Sequence, residues 1–183
     1  YLLQFEKNFT ANGGTVLWAR TADDAIAYIT EIFKENNVKS IVKSKSMTTE
    51  EIELNANLEK IGVESVETDL GEYIVQLAGE RPYHIVTPAM HKSKADVAQL
   101  FNKHFGFPLE STAEEMTMLA REKLREKYLA ADAGITGANF IIADKGAIAV
   151  TENEGNGLMS TSFPKIQIAI AGIEKIIPSF KDL

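Results

Sequence analysis

Ser40-Ile-Val-Lys-Ser-Lys-Ser-Met-Thr-Thr-Glu-Glu51 passes from a β-rich run through a polar loop into a helix start. Ile41 and Val42 favour a strand over Ser40–Lys43. Thr48-Thr-Glu-Glu51 places a hydroxyl three residues before an acid, the pattern of a capping box. The same order of strand, loop and helix recurs on both sides. Upstream, Thr15–Ala19 is β-rich and Thr21-Ala-Asp-Asp24 opens a helix carrying Ala25, Ile26, Ile29, Ile32 and Phe33. An apolar segment with Leu2, Leu3, Phe5 and Phe9 precedes both. Downstream, Ile52, Leu54 and Leu58 continue the helical period, and Val63–Val66 and Tyr83–Thr87 are the next β-rich runs. Ser93-Lys-Ala-Asp96 leads a helix with Val97, Leu100, Phe101 and Phe105. Ser111-Thr-Ala-Glu114 leads the longest, to about Asp132, with Met116, Leu119, Ala120, Leu124 and Leu129 apolar. Strands alternating with helices predict βαβ units, a mostly parallel sheet and an α/β fold. Asn139–Thr151 differs: two apolar runs flank Asp144-Lys-Gly146, which reads as an added β-hairpin with Gly146 left-handed. Ile166–Ile173 is almost wholly apolar, as an interior strand covered on both faces is.

A chain of 183 residues is read as one domain, long enough to bury its own core. No apolar run approaches the ~20 residues of a membrane helix, so no membrane span is expected. The net charge of -7 repels phosphate backbones and argues against nucleic acid, while a small anionic metabolite remains compatible through local loop chemistry. The chain has no cysteine, which excludes disulfides, thiolate catalysis and cysteine-ligated clusters within these residues and suits a cytoplasmic protein. It begins at Tyr1 and ends at Leu183 soon after Pro178-Ser179, a pair that normally opens a helix. The ends therefore predict a truncation from a longer protein.

In an open α/β sheet, ligands gather beyond the carboxyl ends of the strands, so the segments after each strand hold the candidates. After the first, Lys43, Lys45 and Ser46 with free backbone N–H groups can hold a carboxylate or phosphate, or the segment is a solvated loop with a cap. After Val63–Val66, Glu67-Thr-Asp-Leu-Gly-Glu72 clusters three carboxylates. Asp69 and Glu72 there can bind a cation or act as base and acid, or Asp69 caps a helix carrying Leu70, Ile74 and Leu77. No metal is assigned. His91, at a strand exit, is a better ligand candidate than His84, read as a sheet residue, or His104, at a helix C-terminus. The Thr151–Ser162 loop is the strongest signal. Glu152, Asn153, Glu154, Gly155 and Asn156 combine acids, amides and a permissive backbone, and Ser160, Thr161 and Ser162 add hydroxyls. It matches neither the dinucleotide fingerprint nor the Walker loop.

Lys45-Ser-Met-Thr-Thr-Glu-Glu51, Val66-Glu-Thr-Asp-Leu-Gly-Glu-Tyr-Ile-Val-Gln-Leu77, His84-Ile-Val-Thr-Pro-Ala-Met-His91, Gly137-Ala-Asn-Phe-Ile-Ile-Ala-Asp144, Ala149-Val-Thr-Glu-Asn-Glu-Gly-Asn156 and Phe163-Pro-Lys165 together resemble the lactate-utilisation (LUD) domain family. The likeness runs through nearly the whole chain in order. It implies a Rossmann-like layered fold with helices on both faces, similar to the ribose-phosphate isomerase and CoA-transferase superfamily. It is nearest to the iron–sulfur member of a bacterial three-protein system that oxidises L-lactate to pyruvate, and so implies the other lactate-utilisation proteins as partners. In that type a cysteine-rich, ferredoxin-like region follows this domain. Iron–sulfur clusters are therefore expected in the full-length parent and no cofactor in these residues. By analogy with the glutamate nucleophile of CoA transferases, the resemblance makes Glu152 the catalytic candidate, with Glu154 beside it. Lys145 departs from the threonine expected before the turn glycine.

The leading expectation is a domain of an electron-transfer protein that positions substrate or partner while electrons move elsewhere. Oxidising lactate removes two electrons, and no redox group is supplied by these residues. The alternative is a stand-alone catalyst or binder of a CoA-linked or phosphorylated small acid. A third is an interaction module whose acidic Glu67–Glu72 segment meets a basic partner surface.

Overall fold

The computed structural model describes residues 1–83 and 86–183. Its helices are α1 (Leu2–Ala11), α2 (Ala22–Glu35), α3 (Met47–Glu51), α4 (Leu54–Lys60), α5 (Leu70–Ala78), α6 (Lys94–Phe105), α7 (Ala113–Ala130) and α8 (Asn156–Ser162). Its strands are β1 (Ser40–Lys43), β2 (Glu64–Glu67), β3 (Ala133–Thr136), β4 (Phe140–Ile142), β5 (Ala147–Ala149), β6 (Ile166–Ala169) and β7 (Ile176–Ile177). The main sheet has the order β2-β1-β3-β6, and each neighbouring pair is parallel. From β1 the chain proceeds to β2 on one side, and from β3 to β6 on the other. The switch of direction therefore falls between β1 and β3.

Alternation along the strands sends side chains to two cores. Val42 and Val66 face one, built with α5, α6 and α7 through Tyr73, Ile74, Phe101, Met116, Ala120 and Leu124. Ile41, Ala133 and Ile135 face the other, closed by Ile29 and Phe33 of α2 and Leu54 and Leu58 of α4. Helices thus cover both faces, as expected of a Rossmann-like α/β fold. A third, smaller core joins Phe5 of α1 to Ile141 and Ala143, under a separate sheet of order β5-β4-β7. The expected hairpin is β4–β5, antiparallel, with Gly146 at φ 56°. A Cβ on Gly146 would stand 2.3 Å from the Phe9 backbone nitrogen, so glycine also lets α1 seat on the turn.

Three local expectations fail, and a fourth lies partly outside the described residues. Thr15–Ala19 forms no strand. The run Tyr83–Thr87 includes His84 and Ile85, outside the described residues, and Tyr83, Val86 and Thr87 belong to no strand. Ile166–Ile173 gives a strand only to Ala169, and that strand is an edge, alternately half-buried and exposed, because β3 already fills the interior place. Beyond it, Ile170 turns to one core and Ala171 to another. The Thr48 capping box does not form: α3 starts at Met47, the preceding Ser46 gives no side-chain cap, and Glu53 at φ 50° breaks the segment into two helices. Two starts hold as read, at Thr21 and Ser93, and the last moves one residue to Thr112 with Glu115.

Candidate functional site

The carboxyl ends of β1, β2 and β3 carry a concentration of buried polar groups. Lys43, Ser44, Glu67, Thr68 and Thr136 are all buried there, and Ser46, Thr49, Glu72 and Ser160 are buried on the segments that follow or pack on them. Burying such groups is unfavourable unless partners compensate. Lys43, 1% exposed, donates from Nζ to Thr49 Oγ1 at 3.1 Å and lies 3.0 Å from Glu50 Oε1 and 2.9 Å from Glu67 Oε1. Burial alone would pull its pKa down, but Glu67 and Glu50 hold it above the ordinary lysine value. Asn55 Nδ2 donates to the same Glu67 oxygen at 2.6 Å, while Glu67 Oε2 is buried without a hydrogen-bond partner among the described residues. Lys43 is thus sealed under the site and does not line it.

The loops after β1 and β3 open a cleft of about 370 Å³ at the switch point. Its wall includes Lys45 and Ser46 from the first loop, Asn139 from the second and Glu152, Asn153 and Asn156 from the approach to α8. Asp69 and Glu154 complete it. Each of its three carboxylates meets a backbone donor. Asp69 caps α5 by accepting from Glu72 N at 3.0 Å. Glu152 Oε2 accepts from Leu158 N at 2.9 Å, and Glu154 Oε2 from Leu70 N at 3.4 Å. Burial, and then the neighbouring Asp69, push the Glu154 pKa up. Lys45 and Lys175 are the lysines lining this cleft.

A second cleft, of about 450 Å³, lies across Lys45. Glu50, Asn55, Glu72, Arg81 and Tyr83 line it with Lys45, which borders both. Glu72 is buried, and Lys45 Nζ stands 3.6 Å from its Oε1. Burial first, and then the charge of Glu67, push the Glu72 pKa up to about 7, against the pull of Lys45.

Of the residues singled out in the sequence, the structure brings Lys45, Ser46, Asp69, Asn153, Glu154, Asn156 and Glu152 to one cleft. Glu72 belongs to the neighbouring one. Gly155 is the left-handed residue preceding α8, at φ 76°, where a side chain would be strained. The polar loop is shorter than expected, because its second half is α8 and Ser160 is buried. His91 lines neither cleft and packs behind the wall of the second: its Nε2 is 2.7 Å from Glu80 Oε2, its ring leans on Tyr83, and Lys92 takes the other Glu80 oxygen. Lys145 sits exposed on the hairpin turn and lines neither cleft. Sequence reasoning missed Asn139, Lys175 and the buried hydroxyl of Thr68, which lies 3.4 Å from that of Ser160. The Gly137-Ala-Asn139 run carries part of the family likeness, but nothing marked it as a strand exit because β3 was not expected.

No cysteine occurs in the chain, and among the described residues no group of three His, Asp or Glu side chains is placed to hold a metal ion. These residues do not fit an iron–sulfur cluster. No helix among them is long and apolar enough to cross a membrane.

Residues 2–183 match the LUD domain family. The chain is 50% identical to Lactate utilization protein B of Lysinibacillus sphaericus (strain C3-41) over 184 residues, all of this chain and 39% of that protein. It is 49% identical to Lactate utilization protein B of Bacillus subtilis (strain 168), over all of this chain and 38% of that protein. A protein of Escherichia coli (strain K12) named "Uncharacterized electron transport protein YkgF" is 44% identical over the same shares. The chain spans about two fifths of the length of these curated relatives. No solved structure matches it.

Proposed function

This chain belongs to the LUD domain family, and from that premise we propose that it is the carboxylate-holding domain of a lactate-utilisation protein that passes electrons through iron–sulfur clusters carried elsewhere in a longer parent. The observation that carries the reading is the cleft at the switch point, where Lys45 is presented among hydroxyls and amides while its three acids are each tied to a backbone N–H. A small anion such as L-lactate places its carboxylate against the Lys45 ammonium, and Asn139, Asn153 and Asn156 line the space for its hydroxyl. Converting lactate to pyruvate releases two electrons and two protons. These residues bind and orient the acid, and the electrons leave through groups this chain does not hold.

The names of the relatives support the lactate assignment, and the other lactate-utilisation proteins are the partners it implies. The test is L-lactate-dependent reduction of a dye by the full-length parent assembled with those proteins. Lys45→Met should raise KM for L-lactate roughly 10- to 100-fold, the range of a lost charged hydrogen bond. Unchanged kinetics in that variant would remove Lys45 from the site. Binding of a CoA ester, abolished by Glu152→Ala with no response to lactate, would instead support an enzyme or binder of CoA-linked or phosphorylated acids.

A further inference from the structure

Lys45 belongs to two clefts at once, and its partner between them is a buried acid. The pair is loose: 3.6 Å lies beyond the 2.7–2.9 Å typical of a charge-assisted hydrogen bond, and the Lys45 side chain is 23% exposed. Glu72 faces a crowded set of charges. Glu67 from the end of β2 and Glu50 from α3 disfavour its ionised form, and Lys45 and Lys43 favour it. Glu53, Glu80 and Arg81 line the same cleft, and Asp69 stands three residues before it, capping α5. Lys43 is already committed to Glu67, Glu50 and Thr49. Of the two lysines that favour ionised Glu72, Lys45 is therefore the one not committed to other acids.

We propose that an anionic ligand in the switch-point cleft draws Lys45 away from Glu72, and that Glu72 takes up a proton from solvent in exchange, so that binding the acid and binding a proton are one linked event. This rests on the reading that the cleft takes a small carboxylate and adds how its charge is accommodated. Before binding, one ammonium serves one carboxylate. Afterwards the same ammonium serves the ligand, and the added proton neutralises Glu72 beside Glu67 and Glu50. Net charge in the buried region is unchanged, whereas without the proton an uncompensated carboxylate would remain in low dielectric. With its pKa pushed up to about 7, Glu72 is poised to make that exchange near neutral pH.

The measurement is calorimetric titration of L-lactate into the full-length parent, repeated at each pH in two buffers of different ionisation enthalpy, PIPES and imidazole at pH 7 and MES and histidine at pH 5.5. The buffer dependence of the heat gives the protons bound per lactate. Expected is net uptake of roughly half a proton at pH 7, falling towards zero at pH 5.5, where Glu72 is already protonated. Glu72→Gln should still bind lactate, with the uptake reduced at least fivefold. Asp132→Asn is the control, because that acid lies at the opposite end of the sheet and lines neither cleft, and it should leave the uptake in place. Lactate binding with no buffer dependence in the unsubstituted protein overturns the proposal, as does uptake that survives Glu72→Gln or vanishes in Asp132→Asn. The buffer comparison needs no variant, so a misfolded Glu72→Gln protein would not shield the idea. Absence of lactate binding would overturn the carboxylate-holding function itself, and this linkage with it.

Discussion

The two ends of one four-stranded sheet are built on opposite terms. At the amino ends of β1, β2 and β3, charges stay in water: Asp132 accepts from Lys39 N at 2.7 Å and Ser40 N at 3.1 Å, and Lys127 reaches Glu64 at 2.6 Å, all at exposed positions. Between the ends lie Ile41, Val42, Ala133 and Ile135, each essentially inaccessible. At the carboxyl ends, Lys43, Glu67 and Glu72 are taken out of water altogether. Both ends need their hydrogen bonds satisfied, but only one does it by burying ions, which stability alone does not favour. The difference teaches that the carboxyl end is organised around holding charge in fixed places.

The largest effect separating the ends should come from Lys43→Met. It strands Glu67 and Glu50 without their shared cation and should lower unfolding free energy by about 3–5 kcal/mol, measured by denaturant titration. A loss under 1 kcal/mol would mean that Glu67 is held neutral and that the carboxyl end is not built on an ion pair. Glu72→Gln gives the next largest effect, and its sign depends on pH. The folded pKa of Glu72 lies above its ordinary value of 4.5, so the stability this group contributes is full below that value and is lost as pH rises through about 7. The variant should therefore gain on the unsubstituted protein between pH 5 and 8, by about 1–3 kcal/mol at the upper end. A parallel pH dependence in the two proteins would remove Glu72 as the titrating group.

Gly134→Ala probes the middle of the sheet, where a Cβ would stand 1.9 Å from the Ser160 carbonyl oxygen of α8. We expect a loss of about 1–3 kcal/mol with α8 displaced, seen as faster amide exchange in Asn156–Ser162. Asp132→Asn, at the amino end, should be the mildest. It keeps the acceptor oxygen and should cost less than about 1 kcal/mol at pH 7. A loss there as large as that from Lys43→Met would erase the contrast between the ends.

The layering was legible where side chains repeat with a clear period. Ile26, Ile29 and Phe33 announce α2, and Thr21 with Asp24 fixes its start by chemistry that needs no tertiary partner. Asp69 was read both as a cap and as a site residue, and it caps α5 while also lining the cleft. The central strand β3 was missed because Ala133-Gly-Ile-Thr136 has a single large apolar side chain. Its place is secured by small residues that let α8 approach, a packing property with no periodic signature. The apolar Ile166–Ile173 suggested an interior strand, yet its tail is shared between two cores, which no one-dimensional pattern reveals. At the site, the loops after strands do line a cleft, but reach was not legible. His91 follows Pro88 like a strand-exit ligand and is instead claimed by Glu80 and Tyr83, and Lys43 points into the protein while Lys45, two residues on, borders both clefts.

The most direct measurement is a crystal structure of the full-length parent with L-lactate. The lactate carboxylate should lie within ~3 Å of Lys45 Nζ, in the space between the loops after β1 and β3. Lactate bound among Glu50, Arg81 and Tyr83, or outside this domain with Lys45 still on Glu72, would contradict it.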